Sequence, residues 1–344
     1  MSSQRERAMK PTDLRGILRY VPMFRDHVFV IAVDGSIVSH ENFANIVTDI
    51  AVLRSLSIKV VLAHGIGQQL VGLAGEHNIA LSDVQGEGPT DAPTMSLARE
   101  ASALVSQSIL ENLSQAGLRC AITNAVRSTK LGRLKGVDHL YTGKVEKVDV
   151  ALLRSMLSQD ILPLVTPIVC DREGHSLRVN SDHLAMELAV ALGASKLIYL
   201  TPFSGLQVNG EVRLNLPEDE LKRLLADKTA KLDPRIRSKA LQAAKALDND
   251  VPRAHILDGR VFGCLLTEIF DKVGLGTMVH ANDYDRIRQA KKKDAQALYN
   301  LAKHGAKTDA LVARTRQQIE QAFAEFYVYE IDDSIIGCAA LRPY

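Results

Sequence analysis

Near-continuous apolar runs recur along most of the chain and limit its fold more than any other feature. They are HVFVIAV (27–33), IKVVLAH (58–64), LRCAITNA (118–125), DILPLVTPIV (160–169), SKLIYLT (195–201) and PRAHILDG (252–259). Such runs are typical of strands buried on both faces, as in parallel sheets. Segments between them carry apolar residues at three- and four-residue spacing, as at Phe43, Ile46, Val47 and Ile50, which predicts helices. The alternation predicts an α/β domain with a mainly parallel sheet between two layers of helices.

The pattern changes after residue 281. A short strand, RIRQAK, precedes two helical segments, DAQALYNLAKHG and ARTRQQIEQAFAEF, and then a hairpin whose strands are Phe326–Ile331 and IIGCAAL. Alternating β-prone residues flank the turn DDS, as is usual in hairpins. This segment is α+β, has a small core even for a minimal domain, and looks like the first part of a larger domain. We predict an N-terminal arm or helix at 1–27, a first domain at 28–281 and the opening part of a second domain at 282–344.

Charge and composition exclude several classes of function. A formal net charge of +2 over 344 residues gives no electrostatic case for nucleic acid or an anionic membrane surface. No stretch approaches the roughly 18 apolar residues of a membrane span, and the N-terminus lacks an apolar signal core. We therefore expect a cytoplasmic protein with no nucleic-acid or membrane partner. The cysteines, Cys120, Cys170, Cys264 and Cys338, lack metal-ligand spacing, so we expect buried thiols and no metal.

Two loops follow the first two apolar runs and are candidates for ligand binding. DGS follows the first run, and HGIGQQ joins the second to a helix, where glycines let backbone amides face an anion. A single G-x-G is also typical of a simple tight turn. Four blocks in order, however, resemble the acetylglutamate kinase fold: FVIAVDGSI, VVLAHGIGQQL, VNSDHLAMELAVALGASKLIYLTPFSGL and VPRAHILDGRVFGCLLTEIFDKVGLGTMV. The resemblance implies a three-layer sheet of amino-acid-kinase type.

Departures from the kinase pattern imply that phosphoryl transfer is lost. Where the family has a phosphate-binding lysine this chain has Ala32, and where it has the first loop glycine this chain has Asp34. A methyl group cannot stabilise phosphate charge, and a carboxylate repels it. The positions that correspond to the kinase site, here called the degenerate kinase site, are Ala32, Asp34, Gly35, Gly65, Gly67, Asn180 and Asp182. Asn180 and Asp182 match an N-x-D motif, and a turn with a helix N-cap explains them at least as well.

Other segments resemble bacterial N-acetylglutamate synthases, whose second domain is a GNAT acetyltransferase. They are HENF after the first loop, LVARTRQQIEQAFAEF and IIGCAALRPY. This resemblance implies transfer of an acetyl group from acetyl-CoA to the α-amino group of L-glutamate, in arginine biosynthesis, by direct attack of the neutral amine. The amine must first lose a proton to a base or a water chain, and we assign no residue to that role.

The resemblance also implies substrate contacts in the second domain. Arg314 and Arg316 would hold the carboxylates of glutamate, since a guanidinium pairs with carboxylate in a fixed fork, and the backbone at Cys338 would lie beside the substrate. Ala313 stands where relatives often have arginine. The alternative is that both arginines are surface charges on an amphipathic helix and that Cys338 is a small buried residue.

Arginine-regulated relatives bind L-arginine between an N-terminal helix and the closing block of the kinase-like domain. The matching residues are Tyr20, His255, Glu268, Gly274 and Gly276, with Glu268 on the guanidinium and amides of the glycine turn on the carboxylate. The structural alternative gives Tyr20 a packing role, buries His255 on a strand and leaves Glu268 solvated. The N-terminal arm resembles one that relatives use in rings, which implies a homo-oligomer.

Two other functions stay open. One is a non-catalytic module that senses arginine or assembles oligomers, which calorimetry with arginine would identify. The other is an ATP-dependent acetylglutamate kinase, which requires binding of ATP with magnesium. GNAT domains hold the CoA pyrophosphate with a glycine-rich turn that would follow Tyr344, so we expect the chain as it stands to lack acetyl transfer.

Overall fold

The computed structural model describes residues 24–208, 210–227, 232–270, 274–281, 285–306, 315–331 and 334–341. The chain divides into two units between Val279 and His280. The predicted arm at 1–27 lies almost wholly outside the described residues. The division into a kinase-like regulatory domain and the start of an acetyltransferase domain remains a prediction.

The first unit is built on an eight-stranded sheet. Its strands lie in the order Asn215–Pro217, Thr277–His280, Arg253–Asp258, Lys196–Thr201, Val28–Val33, Lys59–His64, Leu162–Val165 and Cys120–Ile122. The last six of these pair in parallel. In the centre, Ile31 lies opposite Leu62 on one side and Ile198 on the other. This is the mainly parallel sheet that the apolar runs predict.

Helices and short hairpins connect the strands of this sheet. The helices span Gly35–Val38, Phe43–Ser55, Gly67–His77, Ala92–Gln115, Val150–Ser158, Ser181–Leu192, Glu218–Ala226, Pro234–Asp248 and Cys264–Phe270. The short antiparallel pairs are Val126–Lys130 with Gly143–Val148, Arg133–Leu134 with Val137–Asp138, Ile168–Cys170 with Ser176–Arg178, and Gln207–Val208 with Glu211–Val212.

Both faces of the sheet are buried. Successive side chains of a strand point to opposite faces, and the strand Val28–Val33 contributes to two separate cores. Phe29 packs in the core that the helix Phe43–Ser55 completes, whereas Val30 packs in the core that the helix Ser181–Leu192 completes. The three-layer α/β prediction is therefore confirmed.

The single strand predicted at 160–169 is wrong. The segment forms two strands, Leu162–Val165 and Ile168–Cys170, which belong to different sheets. Pro167 lies between them and has no backbone N–H to donate to a ladder. The break redirects the chain at the carboxyl end of the central sheet, beside the cavity described below.

The second unit is a three-stranded antiparallel sheet with two helices among its described residues. Its strands are Asp285–Gln289, Phe326–Ile331 and Ser334–Ala340, its helices are Ala295–Ala306 and Arg316–Gln321, and 3-10 turns lie at Lys292–Asp294 and Phe323–Glu325. Leu298, Ile319 and Val328 are buried in its core. The helix predicted at 313–326 ends earlier, at Gln321, and Thr315 caps its start through a capping box with Gln318. Within the described ranges, every helix is too short or too polar to cross a lipid bilayer.

Candidate functional site

A cavity of about 500 Å³ opens where the central parallel strands end. Parallel α/β sheets place ligand sites at the carboxyl ends of their strands. The lining residues are Asp34, Gly35, Ser36, Gly65, Ile66, Gly67, Gln68, Val71, Val84, Gln85, Pro167, Arg178, Val179, Asn180, Ser181, Asp182, Pro202, Arg235 and Lys239. Six of the seven positions of the degenerate kinase site are among them. Ala32 is the exception, because its methyl group packs in the core below.

The two glycine loops touch each other at this cavity. A Cβ on Gly35 would lie 2.2 Å from Gln69 Oε1 and 3.0 Å from the Gly65 carbonyl oxygen, and one on Gly65 would lie 3.3 Å from Ser181 Oγ. The Gly35 position therefore has no room for a side chain. The two loops make the close backbone approach that a phosphate site needs, but the Asp34 carboxylate lies beside them.

Asn180 serves as the N-cap that the sequence offered as an alternative. Its Oδ1 accepts a hydrogen bond from His183 N at 2.9 Å, and its Nδ2 donates to the Gln85 carbonyl oxygen at 3.0 Å. This satisfies an amide at the start of the helix Ser181–Leu192 and ties that helix to the loop at 82–88. Both polar ends of the Asn180 amide are thus engaged within the protein.

A buried lysine lies between two carboxylates of the cavity. Lys239 Nζ lies 3.0 Å from Asp34 Oδ1 and 3.0 Å from Asp182 Oδ1, and the Lys239 side chain is 5% exposed. Burial alone would lower the pKa of Lys239, but the charges and hydrogen bonds of Asp182 and Asp34 outweigh it and raise the pKa above its usual value. The ammonium is therefore charged and fully engaged inside the protein.

The two arginines of the lining also have internal partners. Arg178 Nη1 donates to the Asp83 carbonyl oxygen at 2.8 Å, and the same nitrogen lies 3.6 Å from Asp83 Oδ2. Arg235 Nη2 lies 3.0 Å from Asp233 Oδ2, and its guanidinium stacks 4.6 Å from the centre of the Phe203 ring. Each cation of the lining is thus paired with at least one carboxylate.

Sequence reasoning missed Lys239 and Arg178. Lys239 lies on the buried stripe of the helix Pro234–Asp248, between the buried residues Ile236 and Ala243. A lysine on an otherwise apolar stripe requires a partner charge, and this signal was available in PRIRSKALQAAKAL. Arg178 lies two residues before Asn180 and had no comparable signal.

The second predicted site, for an arginine effector, is a buried network around the strand Arg253–Asp258. His255 Nδ1 lies 2.8 Å from Glu268 Oε1, and His255 Nε2 lies 3.2 Å from Lys196 Nζ. Glu268 Oε2 accepts hydrogen bonds from Leu275 N at 2.8 Å and from Gly276 N at 3.3 Å. The structure therefore brings His255, Glu268 and Gly276 together. Glu268 is buried, unlike the solvated alternative that the sequence left open.

Titration in this network follows from burial and from the partners. Burial, followed by the nearby charge of Lys196, lowers the pKa of His255 to about 4, so the ring is neutral. Burial opposes ionisation of Glu268, but its hydrogen bonds with His255 and with two backbone amides hold its pKa below the usual value. Glu268 is thus the anion of the network.

Glycines bring the closing turn against this network. A Cβ on Gly274 would lie 2.6 Å from Glu268 Oε2, and one on Gly276 would lie 2.3 Å from the Ile256 carbonyl oxygen. Only glycine lets the turn approach so closely. The turn amides that the sequence assigned to an effector's carboxylate are hydrogen-bonded to Glu268 in this structure.

The predicted substrate residues are less organised. Arg316 Nε lies 2.7 Å from Glu320 Oε1, one helical turn along, and its side chain is 59% exposed. Cys338 is half-buried on the strand Ser334–Ala340, and burial raises the pKa of its thiol. Arg314 and Tyr20 lie outside the described residues.

Metal-binding groups are sparse in the described part of the chain. Asp171, Glu173 and His175 can bring three ligand atoms together on an exposed turn. Asp171 Oδ1 accepts hydrogen bonds from the backbone amides of Glu173 at 3.0 Å and His175 at 2.8 Å. This turn lies outside the cavity lining and does not add to the site.

Comparison with known proteins gives a consistent assignment. A family model described as the amino acid kinase family matches residues 27–258. An amino-acid acetyltransferase of Actinobacillus pleuropneumoniae serotype 7 is 31% identical over 333 residues, which cover 94% of this chain and 76% of that relative. The chain is similar to N-acetylglutamate synthase from Neisseria gonorrhoeae complexed with coenzyme A and L-arginine, with a TM-score of 0.84 and 26% identity over 96% of this chain and 78% of that one. The same enzyme complexed with coenzyme A and N-acetyl-glutamate gives a TM-score of 0.73 and 27% identity over 96% and 77%.

Proposed function

This chain belongs to the amino-acid acetyltransferase family, and we propose that it is an N-acetylglutamate synthase that uses acetyl-CoA and L-glutamate under control of L-arginine. The observation that carries the proposal is the pairing of Lys239 with both Asp34 and Asp182. The cleft keeps the glycine loops of a phosphotransferase but holds its buried lysine between two carboxylates. This arrangement disfavours phosphoryl transfer, and acetyl transfer is the reaction that remains for a member of this family.

The kinase alternative is disfavoured by charge. Phosphoryl transfer requires cations directed at the developing charge on phosphate oxygens. Lys239 is directed at Asp34 and Asp182, and Ala32 offers a methyl group packed in the core. A nucleotide phosphate in this cleft would meet the Asp34 carboxylate at the first loop.

We assign the regulatory site to the buried network of His255 and Glu268. Glu268 carries the negative charge, and a guanidinium can pair with its carboxylate in a fork. Leu275 N and Gly276 N donate to Glu268 in this structure, so the turn positions that carboxylate. The turn at Gly274 and Gly276 stays a proposed backbone contact for the carboxylate of the effector. Tyr20 stays a proposed contact from the arm.

Acetyl transfer requires attack of the neutral amine of L-glutamate on the thioester carbonyl carbon of acetyl-CoA. A carbon–nitrogen bond forms, the carbon–sulfur bond breaks, CoA leaves as its thiolate, and the amine loses a proton. Arg314 and Arg316 are proposed to hold the glutamate carboxylates, with the backbone at Cys338 beside the substrate. The described residues do not single out a catalytic base.

The test combines arginine calorimetry with assays of acetyl and phosphoryl transfer. The purified protein is expected to bind L-arginine, and Glu268→Gln is expected to weaken that binding by at least about tenfold, as loss of a hydrogen-bonded charge does. Glu173→Gln, on the exposed turn, is the matched control and should bind as the wild type does. Transfer of phosphate from ATP to N-acetylglutamate would overturn the proposal. Arginine binding without any binding of L-glutamate would favour the non-catalytic sensor instead.

Assembly and location complete the proposal. We expect a homo-oligomer, as the resemblance of the arm implies, and light scattering of the full chain would measure its size. We also place the protein in the cytoplasm. Its cysteines, Cys120, Cys170, Cys264 and Cys338, are all free thiols, which suits a reducing compartment.

A further inference from the structure

The retained cleft has the dimensions and walls of a small-molecule site. Its volume of about 500 Å³ falls in the range of roughly 300–1,000 Å³ typical of ligand pockets. Ile66, Val71, Val84, Pro167 and Val179 contribute apolar surface to the lining. Val71 is 50% exposed and Val84 is 41% exposed, so apolar side chains are open to solvent at a concave surface that a ligand can cover.

The charge of this cleft is unbalanced. Among the described residues, the ionisable groups that line it or pair with its lining are Asp34, Asp83, Asp182 and Asp233 against Arg178, Arg235 and Lys239. Arg178 is paired with Asp83, and Arg235 with Asp233. Lys239 contacts both Asp34 and Asp182, and the charge of Arg235 also acts on Asp34. Four carboxylates against three cations still leave one negative charge in excess. His64, beside the second glycine loop, adds no cation because burial lowers its pKa to about 4.

The excess charge is accessible at Asp34. Its side chain is 22% exposed, whereas Asp182 is 8% exposed and Lys239 is 5% exposed. Burial and the nearby charge of Asp182 raise the pKa of Asp34, against the opposing effect of Lys239. Because of its larger exposed fraction, Asp34 is the carboxylate of the pair that a ligand in the cavity can reach.

We propose that this cleft binds a small organic molecule whose protonated primary amine donates hydrogen bonds to the Asp34 carboxylate. A phosphate or carboxylate would be repelled by Asp34. A divalent metal ion carries twice the charge of an ammonium and would be repelled more strongly by the Lys239 ammonium, which holds both carboxylates at 3.0 Å. An ammonium on an apolar stem instead supplies one positive charge, several N–H donors and surface to cover Val71 and Val84.

Hydroxyl groups of the lining agree with a ligand that donates hydrogen bonds. Ser36 and Ser181 belong to the lining, and a hydroxyl oxygen can accept a hydrogen bond from an ammonium. The cleft thus offers acceptors in addition to the Asp34 carboxylate.

The test uses cadaverine as the probe and calorimetry of the full chain as the measurement. Saturable binding of one cadaverine per chain is expected, and Asp34→Asn, which removes the excess charge with little change in shape, should weaken it by at least about tenfold. Arg235→Gln should instead tighten binding by roughly threefold, because removing a partly exposed cation has a small effect. This second variant keeps the idea testable if Asp34→Asn fails to fold.

Three controls separate this site from other sources of affinity. Asp160→Asn makes the same change outside the cleft and should leave cadaverine binding unchanged. Glu268→Gln should also leave it unchanged, which distinguishes the cleft from the proposed arginine site. Equal binding of the diol analogue of cadaverine, displacement of cadaverine by Mg²⁺, or unaltered affinity in Asp34→Asn would each overturn the proposal.

Discussion

The cleft and the network of His255 and Glu268 each bury a lysine and a carboxylate, but they balance charge differently. In the cleft, Lys239 is shared by Asp34 and Asp182. In the network, Glu268 is held by a neutral histidine and by two backbone amides. The cleft depends on one side chain to separate two like charges, whereas the network spreads one charge over several donors.

The difference shows two ways of keeping a carboxylate charged inside a protein. In the cleft, Gly35 and Gly65 pack against each other and Ser181, and Lys239 is the counterion of the two carboxylates beside these loops. In the network, amide donors satisfy Glu268 without bringing in another charge.

The largest effect is expected from Lys239→Met. This substitution leaves two buried carboxylates facing each other, and breaking a buried ion pair from one side typically costs about 3–5 kcal/mol of unfolding free energy. Urea unfolding measures the loss. The double variant Asp34→Asn with Lys239→Met should recover a large part of it, since one of the repelling charges is removed. A loss below about 1 kcal/mol, the value of a surface pair, would contradict a shared buried counterion.

A smaller effect for each group is expected from acid, and it concerns both regions. His64 and His255 have pKa values of about 4 in the folded protein against 6.5 ordinarily, chiefly through burial. The unfolded chain therefore binds protons first, so stability is complete above pH 6.5 and falls as the pH drops toward 4, by roughly 3 kcal/mol for each histidine. The lowered pKa of Glu268 acts in the same direction.

Unfolding free energies measured at about pH 7 and about pH 5 test this slope. His64→Asn removes the titrating ring beside the cleft, and His255→Asn removes the one in the network. In each variant, the loss of unfolding free energy between the higher and the lower pH should be smaller than in the wild type. Equal losses in all three proteins would show that neither ring is held neutral by burial.

The smallest stability effect is expected from Arg316→Gln. Its partner Glu320 lies one turn along an exposed helix, and such pairs contribute about 0.3–0.5 kcal/mol. If Arg316 binds glutamate, the Kd for L-glutamate, measured by calorimetry, should rise while the stability hardly changes. Arg172→Gln, which breaks another exposed pair, is the control and should leave that Kd as it was. An unchanged Kd in Arg316→Gln would mark Arg316 as a surface charge only.

The sheet was predictable because burial on both faces leaves a direct signal in the sequence. Runs such as IKVVLAH became the parallel strand Lys59–His64 with little change in bounds. The exception was 160–169, where hydropathy concealed the interruption at Pro167. Hydropathy reports burial, and hydrogen bonding along a ladder depends on backbone donors that hydropathy does not include.

The site was predictable only in part. Loop glycines could be located because a strand-to-helix turn has a local pattern, and Asp34 was recognised as incompatible with phosphate. The pairing of Asp34 with Lys239 joins residues that are distant in the chain, so no local pattern reveals it. In the network, His255 and Glu268 came from family resemblance, and Lys196 was missed because a lysine at a strand start is usually solvated.

The close approach of Gly276 to the strand Arg253–Asp258 has a mechanical consequence. With the Ile256 carbonyl oxygen 2.3 Å from the place of a Cβ, the turn has no clearance to slide along the strand that carries His255. A displacement of either the turn or the strand must therefore displace the other, so a molecule that contacts Glu268 acts on both together. Replacing Gly276 with alanine would move the turn away from the strand before any ligand binds.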